Sequence, residues 1–245
     1  MKNFLTICIL TIASLSYGQK EIVWFDTGFK VMYGGSSALS SMVSDASNLD
    51  YNLAFGNSTS LGGKFGINFG YSGLALELMY NKGNATIQNL TAPQDSELDW
   101  TNIELYTLFR NNANLGFFEL GPKFSMLQSL DRTTGSGEVL DLKEAELTNN
   151  LNISAVLSMG VLLLGNDRSF SGQVGLRFEY GFTDMIAEGA GRTAFEPFPD
   201  VLTSTSAVEY GKTVPLYAGL VFELNFGLGF YGVSQCGGRP KLFGF

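Results

Sequence analysis

Eight runs in this chain alternate apolar and polar side chains with a period of two, and the connections between them run long, short, long, short, long, short, long. Period two is the repeat of a β-strand, whose successive side chains point to opposite faces. The runs are Val23–Tyr33, Leu61–Tyr71, Leu74–Lys82, Trp100–Arg110, Gly116–Met126, Leu151–Leu163, Ser171–Phe182 and Pro215–Phe226. Each has about the 9–11 residues that a tilted strand needs to cross a bilayer. The connections 71–73, 111–115 and 164–170 are short, whereas 34–60, 83–99, 127–150 and 183–214 are long. Antiparallel strands joined in this way put every long loop at one end, which is the plan of an outer-membrane barrel. The expected fold is therefore all-β: an eight-stranded antiparallel up-and-down transmembrane β-barrel with both termini on the short-turn side.

A soluble sandwich or a lipocalin also has period two. The faces argue against both. In the second run Leu61, Phe65, Ile67, Phe69 and Tyr71 share one face, against Gly62, Lys64, Gly66, Asn68 and Gly70. One face is apolar and the other is polar and glycine-rich, the inverse of a lipocalin, whose apolar side chains line its cavity. A secreted lipocalin-like binding protein is kept as an alternative. Aromatic residues fall near the ends of the runs. Trp24, Phe25, Phe69, Tyr71, Phe117, Phe118, Phe226 and Phe230 stand by the short turns; Tyr33, Tyr80, Trp100, Tyr180 and Phe182 stand by the long loops. They are expected to form two interfacial girdles.

Residues 1–18 read as an export signal: Lys2 is followed by a mostly apolar stretch and by Ser16-Tyr17-Gly18, with cleavage before Gln19. Residues 19–230 are assigned to the barrel and residues 231–245 to a periplasmic C-terminal tail. The processed chain carries 14 basic and 23 acidic residues, a net charge of −9. That balance excludes nucleic acid as a partner. Cys236 is left alone after removal of Cys8, so no intramolecular disulfide is expected. The long connections are acidic, as at Asp131, Glu138, Asp141, Glu144 and Glu146, which fits a solvated outer surface.

The polar faces carry Lys30, Lys64, Arg110, Lys123 and Arg177 together with Glu77, Glu104, Glu119, Glu179 and Glu223. An eight-stranded barrel is only wide enough for side chains to fill it. Ionised groups there must pair and hydrogen-bond. These ten residues are expected to form a salt-bridge network that plugs the lumen. A gated ion path, in which pairs such as Glu104–Arg110 exchange partners, is the alternative.

The chain contains no histidine. That removes the usual general base of Ser-His hydrolases and the commonest zinc ligand. Carboxylate pairs alone support glycoside chemistry, but these carboxylates have basic neighbours. Gly62, Lys64 and Gly66 are strand alternation with no following helix, not a phosphate loop. No enzymatic activity, cofactor or metal is expected.

Several segments carry a family resemblance. They are Trp24-Phe25-Asp26-Thr27-Gly28, Gly62-Gly63-Lys64-Phe65-Gly66-Ile67-Asn68-Phe69-Gly70, Phe118-Glu119-Leu120-Gly121-Pro122-Lys123, Arg177-Phe178-Glu179-Tyr180-Gly181-Phe182-Thr183-Asp184 and Phe222-Glu223-Leu224-Asn225-Phe226. The chain resembles the PorT-like outer-membrane β-barrel proteins over nearly all of its processed length. The resemblance implies a one-domain barrel in the envelope of a Gram-negative bacterium. Gly219, Phe222 and Leu224 resemble the last-strand signal read by the barrel-assembly machinery, ending at Phe226, Phe230 or Phe245. Some members of the family serve protein secretion. The expected role is a non-enzymatic structural or interaction barrel in contact with outer-membrane lipid and lipopolysaccharide. A narrow pore, or a component of a secretion assembly with envelope protein partners, is the alternative.

Overall fold

A computed structural model describes residues 23–40, 51–89, 95–112, 116–134, 137–166, 170–187 and 212–228. The export signal, Phe230 and the C-terminal tail lie outside the described residues. The described residues form nine strands: β1 (Val23–Ser40), β2 (Tyr51–Phe69), β3 (Ser72–Asn89), β4 (Ser96–Asn112), β5 (Gly116–Thr133), β6 (Val139–Asp141), β7 (Leu151–Asn166), β8 (Phe170–Gly181) and β9 (Thr213–Leu228). Eight of them are long and close into a ring in the order β1-β2-β3-β4-β5-β7-β8-β9, and β6 pairs only with the outer end of β5. Every pairing is antiparallel. The first strand meets the last along a continuous ladder from Phe25↔Leu228 to Ser40↔Thr213, so the eight-stranded ring has no free edge.

Burial is inverted with respect to a water-soluble protein. Phe65 is 41% exposed and Phe222 48%, whereas Lys64 is 3% and Glu223 1% exposed. The exposed apolar band on β1 runs from Val23 to Tyr33. About ten residue steps at about 3.3 Å each, tilted by about 40°, give a height of about 25 Å. That is close to the apolar band of a bilayer-spanning barrel.

The strands are longer than the apolar alternation predicts. β3 continues from Tyr80 to Asn89 and β2 begins at Tyr51, so much of what reads as long loop is paired strand. Beyond the apolar band both strand faces lose the lipid requirement, and the ladder persists on backbone pairing alone. A second buried apolar layer fills this extension. Leu98 and Trp100 on β4 lie opposite Ala85 on β3 and Leu130 on β5, and all are buried. Leu142, Met185 and Ile186 fold in from the connections and are also buried. Leu142 donates its amide to Leu130, Met185 donates to Thr213, and Thr148 bridges Ile186. These residues build an apolar roof over the long-loop end.

Three of the expected girdle aromatics point inward instead. Trp100 belongs to the roof, Phe117 is buried, and Trp24 shares the inward face of Asp26 and Lys30. The parity of each strand, not closeness to a strand end, decides the face. Tyr33, Tyr80, Tyr180 and Phe182 are exposed as a girdle requires.

Candidate functional site

The narrow bore is made passable for long side chains by glycine. Lys30 lies opposite Gly62, Lys64 opposite Gly28, Arg110 opposite Gly73 and Arg177 opposite Gly219. A Cβ at Gly219 would sit 2.3 Å from the Tyr217 hydroxyl, and one at Gly66 would sit 2.0 Å from Asp26 Oδ1. Side chains occupy the space that inward glycines leave.

All ten inward charged residues expected from sequence are buried, and they fall into two groups. The larger holds Lys30, Lys64, Arg110 and Arg177 with Glu77, Glu119 and Glu223. Lys30 Nζ contacts Glu77, lies 2.7 Å from Glu223 Oε2 and 3.5 Å from Glu119 Oε1. The Glu223 contact is an ion pair without hydrogen-bond alignment. Lys64 Nζ donates to Glu223 Oε1 at 2.8 Å and Asn225 Oδ1 at 2.9 Å, and lies 3.4 Å from Asp26 Oδ2. Arg110 Nη1 donates to Glu119 at 2.7 Å and Glu223 at 2.8 Å. Its Nε donates to Asn112 at 3.0 Å, its Nη2 reaches Gln173, and its plane lies 4.4 Å from the Phe117 ring. Arg177 spans Glu77 Oε2 and Glu119 Oε2, each at 2.8 Å, and donates from Nε to Ser158. With Asp26 included, four cations face four carboxylates.

Glu77, Glu119 and Glu223 bring carboxylate oxygens within 4.8 Å of one another, a spacing that suits a cation. The ammonium of Lys30 fills that role, since it contacts all three. The trio needs no metal to be neutralised.

The smaller group holds Lys123, Glu104 and Glu179. Lys123 Nζ lies 3.0 Å from Glu104 Oε1 and 2.5 Å from Glu179 Oε2. The Tyr106 hydroxyl lies 2.7 Å from Glu104 and 3.0 Å from Glu179. The Tyr106 ring separates the groups: Arg177 lies 4.9 Å and Lys123 5.7 Å from its centroid. Arg110 therefore belongs with Glu119 and Glu223, while Glu104 pairs with Lys123. The Glu104–Arg110 pair named for the alternative ion path is not formed: Arg110 pairs with Glu119 and Glu223, and Glu104 with Lys123.

The inward face is also less polar than its alternation predicts. Met32, Met79, Leu108, Val156 and Val221 are buried in the same lumen beside Tyr106 and Tyr217. Arg177 Nη1 lies 3.4 Å from the Met32 sulfur. Asp26, Asn225, Gln173 and Tyr106 were not among the ten expected residues. Strand parity alone marks Asp26, four positions before Lys30 on the same face.

The fold and this lumen define a closed eight-stranded antiparallel barrel, apolar outside and ionised within. Among solved structures, Neisserial surface protein A (NspA) is similar at 12% identity, covering 84% of this chain and 99% of that one, with a TM-score of 0.41. Ail, the attachment invasion locus protein of Yersinia pestis, solved with the heparin analogue sucrose octasulfate, is 10% identical over 81% of this chain and 98% of its own, with a TM-score of 0.34. The translocator domain of the autotransporter NalP from Neisseria meningitidis is 9% identical over 94% and 96%, with a TM-score of 0.32. No family model matches the chain, and no curated protein matches it.

Proposed function

We propose that this protein is a non-enzymatic integral barrel of the bacterial outer membrane, with a plugged lumen and a structural or interaction role at the long-loop end. One observation carries the reading: large apolar side chains such as Phe65, Leu78 and Phe222 cover the outside while Lys30, Glu77 and Arg177 are wholly buried. Only a hydrocarbon solvent makes that distribution favourable. A closed ring leaves no backbone group unpaired in lipid.

The plug is supported by the filling of the bore. Each lumen cation touches at least two carboxylates, and Met32, Met79, Leu108 and Tyr106 are buried together in the same bore. A hydrated ion has no continuous wet path through such packing. Engaged carboxylates without a histidine also leave no free acid–base pair for catalysis. The PorT-like assignment rests on the segments quoted above. Contacts with lipopolysaccharide, the barrel-assembly machinery and envelope or secretion proteins belong to the same proposal, as do signal cleavage before Gln19 and a periplasmic tail.

Reconstitution into planar bilayers tests the plug against a narrow pore. Folded protein is expected to give no unitary conductance steps in molar potassium chloride. Reproducible steps that scale with protein added would make the pore the better reading. Solubility of the folded, signal-free chain without detergent would instead favour a lipocalin-like binder.

A further inference from the structure

The two charge groups of the lumen do not balance equally. The larger has four cations for Asp26, Glu77, Glu119 and Glu223, whereas Lys123 alone faces both Glu104 and Glu179. Arg177, across the Tyr106 ring, is already committed to Glu77 and Glu119. Tyr106 has one hydroxyl hydrogen, yet its oxygen lies within 3.0 Å of both carboxylates. The pair is thus short of one positive partner, in a place where an uncompensated charge is costly.

A cavity adjoins the pair. Its volume is about 20 Å³, and Glu104, Glu179, Lys123, Asn102 and Tyr217 all line it beneath Trp100 of the roof. That is room for one water-sized occupant and excludes an organic ligand. Two of its lining residues carry a polar atom with no hydrogen-bond partner, Asn102 at Oδ1 and Tyr217 at Oη. They are only 7% and 6% exposed. An orphaned carbonyl oxygen and two carboxylates are acceptors beside a single excess negative charge.

We propose that this cavity binds one alkali-metal cation, held by Glu104, Glu179 and Asn102. The monovalent charge matches the excess. The ion gives the Asn102 oxygen a partner, which a proton shared between the two carboxylates does not. Cation binding and conductance are separate readouts, and either can fail without the other.

The test uses folded full-length protein in detergent. Its unfolding midpoint is compared in sodium, potassium and N-methyl-D-glucamine chloride at equal ionic strength, the last cation being too large to enter. Ligand that binds only the folded state raises the midpoint with concentration. The wild type is expected to melt several degrees higher in at least one alkali salt, with saturation. Glu179→Gln removes the excess charge and is expected to lose that response, while the exposed Glu144→Gln keeps it. Equal wild-type midpoints in all three salts overturn the proposal. So does a midpoint that follows pH but not the cation, which assigns the missing charge to a shared proton. Should Glu179→Gln not fold, crystals of the wild type in rubidium chloride decide: an anomalous peak between Glu104, Glu179 and Asn102 supports the site, and its absence overturns it.

Discussion

Lys30 is the residue on which the lumen turns. Its ammonium serves three carboxylates drawn from β3, β5 and β9. A buried ion pair adds little stability over a well-packed apolar pair, but removing one partner strands the other. Lys30→Met keeps the length of the side chain and deletes the charge. It is expected to lower unfolding stability by about 3–5 kcal/mol, read as a shift in the urea midpoint in detergent. An unchanged midpoint argues against a dehydrated network. At this scale the sequence is informative about which face a residue takes. Lys64 between Gly63 and Phe65 announces itself as inward by parity. Partnership is not legible: Arg110 meets Glu223, 113 positions away, through the stagger of the closed ring, and no spacing along one strand encodes that stagger.

The strands and their turns form the next level. β2 and β3 are joined by Gly70-Tyr71, with Gly70 at φ +60°, as a tight hairpin requires. The β7–β8 connection depends on Gly165, at φ +80°, where an added Cβ would lie 1.9 Å from the Phe170 carbonyl oxygen. Gly165→Ala therefore meets both a left-handed backbone and a collision. It is expected to cost about 1–3 kcal/mol, seen as a lower thermal midpoint, while Gly137→Ala, also at positive φ but with open space around it, is expected to cost less. Equal effects would show that backbone conformation alone decides. The apolar alternation locates the lipid-crossing part of each strand and understates its length. Above the band the outward residues of β3 are Asn84 and Thr86, which read as loop because water imposes no apolar face. The roof escapes notice for a related reason: Leu130, Leu142 and Met185 are scattered apolar residues in acidic segments, and the break in pairing register after Thr101 brings Leu130 inward.

For the whole molecule, closure matters more than any single contact. Eight ladders support one another, so unfolding is expected to be cooperative and the folded cylinder to resist detergent. On gels the unheated protein is expected to migrate differently from the boiled one, and identical migration would weaken the barrel assignment. Orientation follows from the unequal ends. The turn Gly70-Tyr71 and the strand ends Asn112, Gly116, Asn166 and Phe170 lie at one rim, and the strand ends Ser40, Asn89, Thr133, Gly181 and Thr213 at the other. The roof above the charge layers is built entirely from the second rim.

Glu223 is the sole carboxylate that β9 places in the bore, and cations from β1, β2 and β4 all converge on it. A growing chain that has not yet delivered Thr213–Leu228 keeps those three cations short of the one anion they share. Docking of that segment against Val23–Ser40 zips the seam and discharges the bore in the same stroke. Completion of the cylinder is thereby also the step that balances its larger charge group, which a copy truncated before Thr213 leaves one anion short.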